Sequence, residues 1–143
     1  MPRTARWGRR RWENRAGWWG ILWWSTGAGV AVLLVVCAVA GAVGGGAAAA
    51  SALLGGGTVL GLSALTAATT ALAWDHAREV VLPLSIGAFV LKLVAMALVL
   101  GLAPRPDWIE PVPAGAAALA VIVVWQAAEV AVFARTRRAI YAD

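Results

Sequence analysis

Five polar side chains in or beside apolar stretches could do chemistry: Lys92, Glu129, and the neighbouring Asp75, His76 and Glu79. Lys92 and Glu129 could pair across adjacent helices, since pairing lowers the cost of burying two opposite charges in a membrane. Two alternatives stay open, namely that each charge extends to the nearest membrane surface, or that Lys92 meets a carboxylate of another protein. The carboxylates of Asp75 and Glu79 are weak candidates for magnesium ligands, and a solvated loop is the favoured interpretation.

The sequence gives no support to catalysis. It contains no Ser, His and Asp arrangement, no pair of cysteines and no phosphate-binding glycine loop, and no nucleophile stands beside His76. Cys37 lies within an apolar run and has no second cysteine to pair with. We therefore expect a protein that is not an enzyme and that has no cofactor, with magnesium as a weak alternative.

The composition is that of a multi-pass membrane protein. Of 143 residues, 62% are hydrophobic and only 13% are charged, which is too apolar for a soluble domain of this length. The net charge of +5 includes six arginines before Trp18, and a basic segment beside a membrane is attracted to anionic lipids. Nucleic acid is not an expected partner, because the chain has little polar material for a folded basic surface.

Four apolar stretches can each cross a bilayer as a helix. At a rise of 1.5 Å per residue, about 22 residues reach about 33 Å, against a hydrocarbon core of about 30 Å. The sequence predicts an all-α bundle of four transmembrane helices, preceded by a basic tail, 1–20, and followed by a short tail, 135–143. The predicted spans are 21–43, 47–73, 80–102 and 113–134.

A turn is required between the first two spans, where Gly44, Gly45 and Gly46 are the only punctuation. The first span is also longer than the apolar core of a signal peptide, which disfavours cleavage.

Basic residues are divided unequally between the two sides that four crossings define. Ten arginines lie on one side: nine in the two tails, and Arg78. The other side has one arginine, Arg105. The positive-inside rule therefore predicts that both termini are cytoplasmic. Tryptophans near the predicted helix ends fit an interfacial belt on that side: Trp18, Trp19, Trp23, Trp24 and Trp74.

Small residues on the second span predict a surface for packing against another helix. Ser51, Gly55, Gly57 and Gly61 let backbones approach closely, and Gly57 with Gly61 forms a GxxxG step. Such faces serve equally well for packing within one bundle and for binding a partner, including a second copy of the chain.

Two stretches resemble the ATP synthase protein I family, small four-span proteins associated with bacterial F-type ATP synthases. The sequence Ser51-Ala-Leu-Leu-Gly-Gly-Gly57, continuing to Ala73-Trp74, is similar to the glycine-rich second span of that family. The sequence Gly87-Ala-Phe-Val-Leu-Lys92-Leu-Val-Ala-Met96 is similar to its third span. With length and span number, the resemblance covers about residues 20–134.

The resemblance implies an accessory protein of the bacterial inner membrane that assists assembly of the rotor ring, with the c subunits as partners. One position departs from the family pattern, since Phe89 stands where many members carry a glutamate three residues before the lysine. Glu129 could substitute for that carboxylate. The alternative function is a small oligomeric channel or transporter for magnesium or another cation, against which Lys92 counts because a midplane positive charge repels cations.

Overall fold

The computed structural model of the chain describes residues 14, 16–76, 78–80, 83–84, 86–87, 90–91, 94 and 106–135. Regular structure in these residues is entirely helical, as the sequence predicted. Helix α1 runs from Trp18 to His76, a single 3-10 turn covers Arg78–Val80, and helix α2 runs from Pro111 to Ala134. Lys92 lies outside the described residues.

Helix α1 is divided at Gly45, within the three glycines where the sequence predicts a turn. Gly45 has φ 80° and ψ −166°, a conformation that is essentially restricted to glycine. We call residues 18–44 the first limb and residues 46–76 the second limb. At 1.5 Å per residue the limbs are about 40 Å and about 46 Å long, so each is long enough to cross a bilayer.

The two limbs pack against each other in opposite directions. A Cβ atom placed on Gly29 would lie 2.5 Å from Cδ1 of Leu60, and one placed on Gly41 would lie 3.4 Å from the Cβ of Ala49. Residue numbers thus rise along one limb as they fall along the other, which defines an antiparallel helical hairpin. Glycines at these positions allow the close approach of the limbs.

Helix α2 packs against both limbs of the hairpin. Pro111 occupies the first turn of the helix, where the missing N–H of proline costs nothing, and Glu110 is its N-cap residue. Trp125 is buried and lies 3.4 Å from the position that a Cβ on Gly29 would occupy. The apolar core that α2 shares with the two limbs contains Leu33, Ala52, Val59, Ala117, Ala118 and Val121.

The chain enters and leaves the bundle at the same end. The backbone N–H of Asn14 donates to the carbonyl oxygen of Arg135 at 3.3 Å. The rings of Trp18, Trp74 and Phe133 meet beside this contact, with centroids of Trp18 5.8 Å and 6.4 Å from those of Trp74 and Phe133. We call this the tail end, and the opposite end, which contains Gly45, the turn end.

Two helices are long and apolar enough to cross a membrane, α1 and α2. In the most apolar 18 consecutive residues of each helix, only 11% of residues are buried in α1 and 22% in α2. The core helix of a soluble protein, by contrast, is mostly buried. The structure therefore supports a helical membrane protein. In the predicted third span, 80–102, Val80 ends the 3-10 turn, and the other described residues are α-helical and exposed: Pro83, Leu84, Ile86, Gly87, Val90, Leu91 and Val94.

Candidate partner-binding surface

The second limb presents two faces with different roles. Its inner face carries Ser51 and Gly55, which contact the turn end and α2. Its outer face carries Gly57 and Gly61, and nothing in the described part of the chain lies within 4 Å of a Cβ placed on either. The four small residues that the sequence predicted as one surface are thus divided between internal packing and an open face.

Ser51 fastens the start of α2 to the second limb. Its side chain is fully buried, and its Oγ accepts a hydrogen bond from the backbone N–H of Glu110 at 2.9 Å. The same hydroxyl donates to the carbonyl oxygen of Ala47 at 2.8 Å, with the carbonyl oxygen of Trp108 at 3.5 Å. Ser51 therefore acts within the fold, because its hydrogen-bonding capacity is used by this chain.

Gly55 is the point of closest approach between the second limb and α2. A Cβ on Gly55 would lie 2.8 Å from the carbonyl carbon and 2.9 Å from the Cα of Ala114, and it would also meet the carbonyl oxygen of that residue. These are backbone atoms, which cannot rotate away. Beside it, a Cβ on Gly56 would lie 3.3 Å from the Cβ of Ala117 and 2.5 Å from Cδ1 of Leu33. Both glycines are needed for internal packing.

The open side of the second limb forms a single helical stripe, which we call the outer glycine face: Leu54, Gly57, Thr58, Gly61 and Leu65. Gly57 is half-buried and the other four are exposed. Thr58 donates its hydroxyl to the carbonyl oxygen of Leu54 at 2.7 Å, so the one polar group of the stripe is satisfied within the helix. The surface is apolar and shallow, which is the shape that lets another helix approach closely.

The charged pair that the sequence predicted is only partly described. Glu129 is half-buried and lies on α2, five residues before the last residue of the helix, Ala134. Because Lys92 lies outside the described residues, pairing between the two side chains stays a prediction.

The polar cluster at the tail end has a structural role. Asp75 accepts a hydrogen bond from the indole N–H of Trp19 at 2.9 Å, and His76 Nδ1 lies 2.9 Å from the carbonyl oxygen of Leu72. Glu79 is exposed. In the part of the chain that the structure describes, no three histidine, cysteine or acidic side chains are grouped so that they could hold a metal ion. The magnesium interpretation of Asp75 and Glu79 thus gains no support from the described geometry.

Three features of the bundle were not anticipated from the sequence. Asn14 is buried and joins the two chain ends, and Trp19 bonds to Asp75 across the hairpin. The hydroxyl oxygens of Ser25 and Thr26 are buried without a hydrogen-bond partner among the described residues. The contacts of Asn14 with Arg135 and of Trp19 with Asp75 join residues that are far apart in the chain. Such contacts leave no local signal in the sequence, so only the packed structure reveals them.

The described residues form a helical bundle with two helices that are long and apolar enough to cross a membrane. One of these helices carries a small-residue face that no other described residue covers. The chain matches no protein-family model, no curated protein and no solved structure. The resemblance to the ATP synthase protein I family, which rests on the two stretches quoted above, therefore remains a prediction from the sequence.

Proposed function

We propose that the protein is a non-enzymatic assembly factor of a bacterial F-type ATP synthase that holds c subunits while the rotor ring forms. In this proposal it is a four-span protein of the inner membrane with both termini in the cytoplasm. The observation that carries the proposal is the outer glycine face, because a shallow apolar stripe on a membrane helix suits a second thin helix. The c subunit, as a hairpin of membrane helices, is a partner of that kind.

The proposal divides the small residues by role. Gly57 and Gly61 would contact the c subunit, whereas Ser51 and Gly55 would maintain the fold that displays them. Lys92 would contact the membrane-embedded carboxylate of the c subunit, or pair with Glu129 within the chain. Association of helices in lipid depends on close backbone approach, so bulk added at Gly57 or Gly61 should block binding without disturbing internal packing.

The test uses Gly57→Leu and Gly61→Leu in full-length protein expressed with c subunits. Gly27→Leu is the matched control, because Gly27 is another glycine of α1 and no other described residue lies within 4 Å of a Cβ placed on it. Both outer-face variants should lose c subunit on copurification from native membranes, and the control should retain it. All three proteins should keep their thermal unfolding midpoints in detergent.

A photo-crosslinker provides the positive result. Placed at position 61 it should capture c subunit, and placed at position 27 it should capture lipid. Crosslinks from position 61 that contain only lipid would contradict the assembly role. Crosslinks to a second copy of the chain, together with cation flux into liposomes that Glu129→Gln abolishes, would favour an oligomeric channel instead.

A further inference from the structure

The half of the bundle nearest the tail end contains a layer of polar side chains between two apolar contacts. On the turn side, a Cβ placed on Gly29 would lie 2.5 Å from Cδ1 of Leu60 and 3.4 Å from Cε3 of Trp125. On the tail side, the ring of Trp18 packs against one ring from each of the other segments: Trp74 and Phe133. Both contacts join the first limb, the second limb and α2. The polar residues between the two contacts form what we call the polar layer: Ser25, Thr26, Ser63, Thr66, Thr69, Thr70, Gln126 and Glu129.

Ser25 and Glu129 lie at the same level of the polar layer. Ser25 is four residues before Gly29, and Glu129 is four residues after Trp125. Since the first limb and α2 run in opposite directions, both steps lead toward the tail end, by about 6 Å. Four residues also return a helical side chain to nearly the same face. Ser25, which is fully buried, therefore shares the inward face of Gly29. Glu129, which is half-buried, shares the face of Trp125.

The hydroxyls of Ser25 and Thr26 differ from other hydroxyls of α1 in their hydrogen bonding. Their oxygens are buried and have no hydrogen-bond partner among the described residues. Four other hydroxyls of α1 each donate to the carbonyl oxygen four residues earlier: Ser51, Thr58, Thr66 and Thr70. A regular helix offers the same bond to Ser25 and Thr26, yet neither makes it. A buried polar group without a partner is costly, and a ligand from outside the chain can supply that partner.

The oxygen atoms of the polar layer select the chemical class of the ligand. Hydroxyl and carboxylate oxygens suit hard cations, and the described residues of the layer include no histidine or cysteine of the kind that transition metals prefer. Glu129 is the single acidic residue of the layer, so it balances one positive charge. Magnesium is divalent and gives up its waters reluctantly, so it would bring an unbalanced charge into the bundle. A monovalent metal ion fits both the charge and the ligands.

We propose that Ser25, Thr26 and Glu129 form a buried site for one alkali-metal cation. The carboxylate balances the charge of the ion, and the two hydroxyl oxygens replace part of its water of hydration. The apolar contacts on both sides of the polar layer separate the ion from solvent. The site does not rest on the assembly role, because copurification of the c subunit and binding of the cation are measured on different variants and each can fail alone.

Thermal unfolding of the full-length protein in detergent tests for the bound cation. Samples contain sodium, potassium, magnesium or N-methylglucamine chloride at one ionic strength. A ligand that binds only the folded protein raises the unfolding midpoint, by about 3–5 °C at ten times its dissociation constant for a chain of this size. Sodium or potassium should give this rise relative to N-methylglucamine. A rise with magnesium as large as that with sodium, or no rise with either alkali metal, would overturn the site.

A carbodiimide gives a readout at Glu129 itself. Dicyclohexylcarbodiimide modifies protonated carboxyl groups in apolar surroundings, and a bound cation keeps the carboxylate ionised. At ten times the dissociation constant only about one site in eleven is free, so sodium or potassium should slow modification of Glu129 about tenfold by peptide mass spectrometry. Glu110, which is also half-buried but lies at the turn end, should be modified at an unchanged rate. A rate at Glu129 that ignores alkali cations, as expected if Lys92 holds this carboxylate, would contradict the proposal.

Matched variants remove one oxygen at a time. Thr26→Val and Thr58→Val delete the same hydroxyl from α1, but Thr58 lies outside the polar layer. Ser25→Ala and Thr26→Val should each lose most of the cation-dependent rise in the midpoint, Glu129→Gln should lose all of it, and Thr58→Val should retain it. In N-methylglucamine, Ser25→Ala should be at least as stable as the unmodified protein, because its hydroxyl then has no partner. A full response to sodium in Ser25→Ala and Thr26→Val would exclude the hydroxyls as ligands and overturn the site.

Discussion

Trp19 donates its indole N–H to a carboxylate oxygen of Asp75 at 2.9 Å, joining the first and last turns of α1 across 56 positions of sequence. The bond exists because the helix folds back on itself at Gly45. A straight helix of 59 residues would be about 88 Å long, far more than a bilayer accommodates. The hairpin is thus closed by a polar contact at the tail end and by a glycine at the turn end.

Gly45→Ala should destabilise the hairpin. The φ of 80° with ψ of −166° is a region that side chains rarely enter, and forcing alanine into it costs about 1–3 kcal/mol. The measurement is the free energy of unfolding from a titration with SDS in mixed micelles. Gly46→Ala is the matched control, because Gly46 is exposed and has no positive φ, and no other described residue lies within 4 Å of a Cβ placed on it. It should be neutral, or more stable by up to about 1 kcal/mol. Equal effects of the two changes would contradict the hairpin.

Gly55→Ala should weaken the packing of α2 on the second limb. The new methyl group would meet backbone atoms of Ala114, so one helix must shift, and overpacking of this kind costs about 1–3 kcal/mol. Gly57→Ala places the same methyl group on the outer glycine face and should leave the free energy of unfolding unchanged or slightly higher. If Gly57→Ala were the more damaging change, the division into inner and outer faces would be wrong.

Two fully buried serines should respond to alanine in opposite directions. Ser51→Ala leaves the N–H of Glu110 without its acceptor and should lower the free energy of unfolding by about 1–3 kcal/mol. Ser25→Ala removes a hydroxyl that has no partner among the described residues, so stability should stay the same or rise by up to about 1 kcal/mol. The two proteins can be compared by thermal unfolding in detergent, in a buffer without alkali-metal cations. A loss of stability in Ser25→Ala would show that its hydroxyl is bonded.

Cysteine accessibility should report which residues share a membrane side. In a Cys37→Ala background, His76→Cys and Arg135→Cys should react together with an impermeant maleimide, because both lie at the tail end. Asp107→Cys should react from the other side, since Ser51 ties its neighbours Trp108 and Glu110 to the turn end.

The distribution of arginines predicts that the first pair is labelled only in inverted vesicles. Labelling of Arg135→Cys and Asp107→Cys from the same side would contradict the antiparallel arrangement of the first limb and α2.

Much of the fold is visible in the residue order. Long apolar stretches predict helices that cross a membrane, because lipid leaves backbone groups no partner but each other. Three consecutive glycines identify the turn, and the structure has its non-helical residue at the middle one, Gly45. Helix α2 begins at Pro111 and ends at Ala134, over the stretch for which the sequence predicted the span 113–134.

The role of each small residue could not be predicted in the same way. The helices are apolar on all sides, so no contrast between hydrophobic and polar faces indicates which side is turned inward. Ser51, Gly55, Gly57 and Gly61 therefore looked equivalent in the sequence. In the structure the first two contact Glu110 and Ala114, and no other described residue covers the last two.

By itself the sequence determined the helical structure, the apolar stretches that are long enough to cross a membrane and the glycine turn, since composition and backbone preference act locally along the chain. Only the tertiary structure decided which glycines separate helices, which serine binds a distant N–H and where the two tails meet. These features depend on how the helices are rotated relative to one another. They also depend on contacts between residues far apart in the chain, such as that of Asn14 with Arg135. In an apolar environment, close packing and a few hydrogen bonds set that rotation, and neither has a local signature.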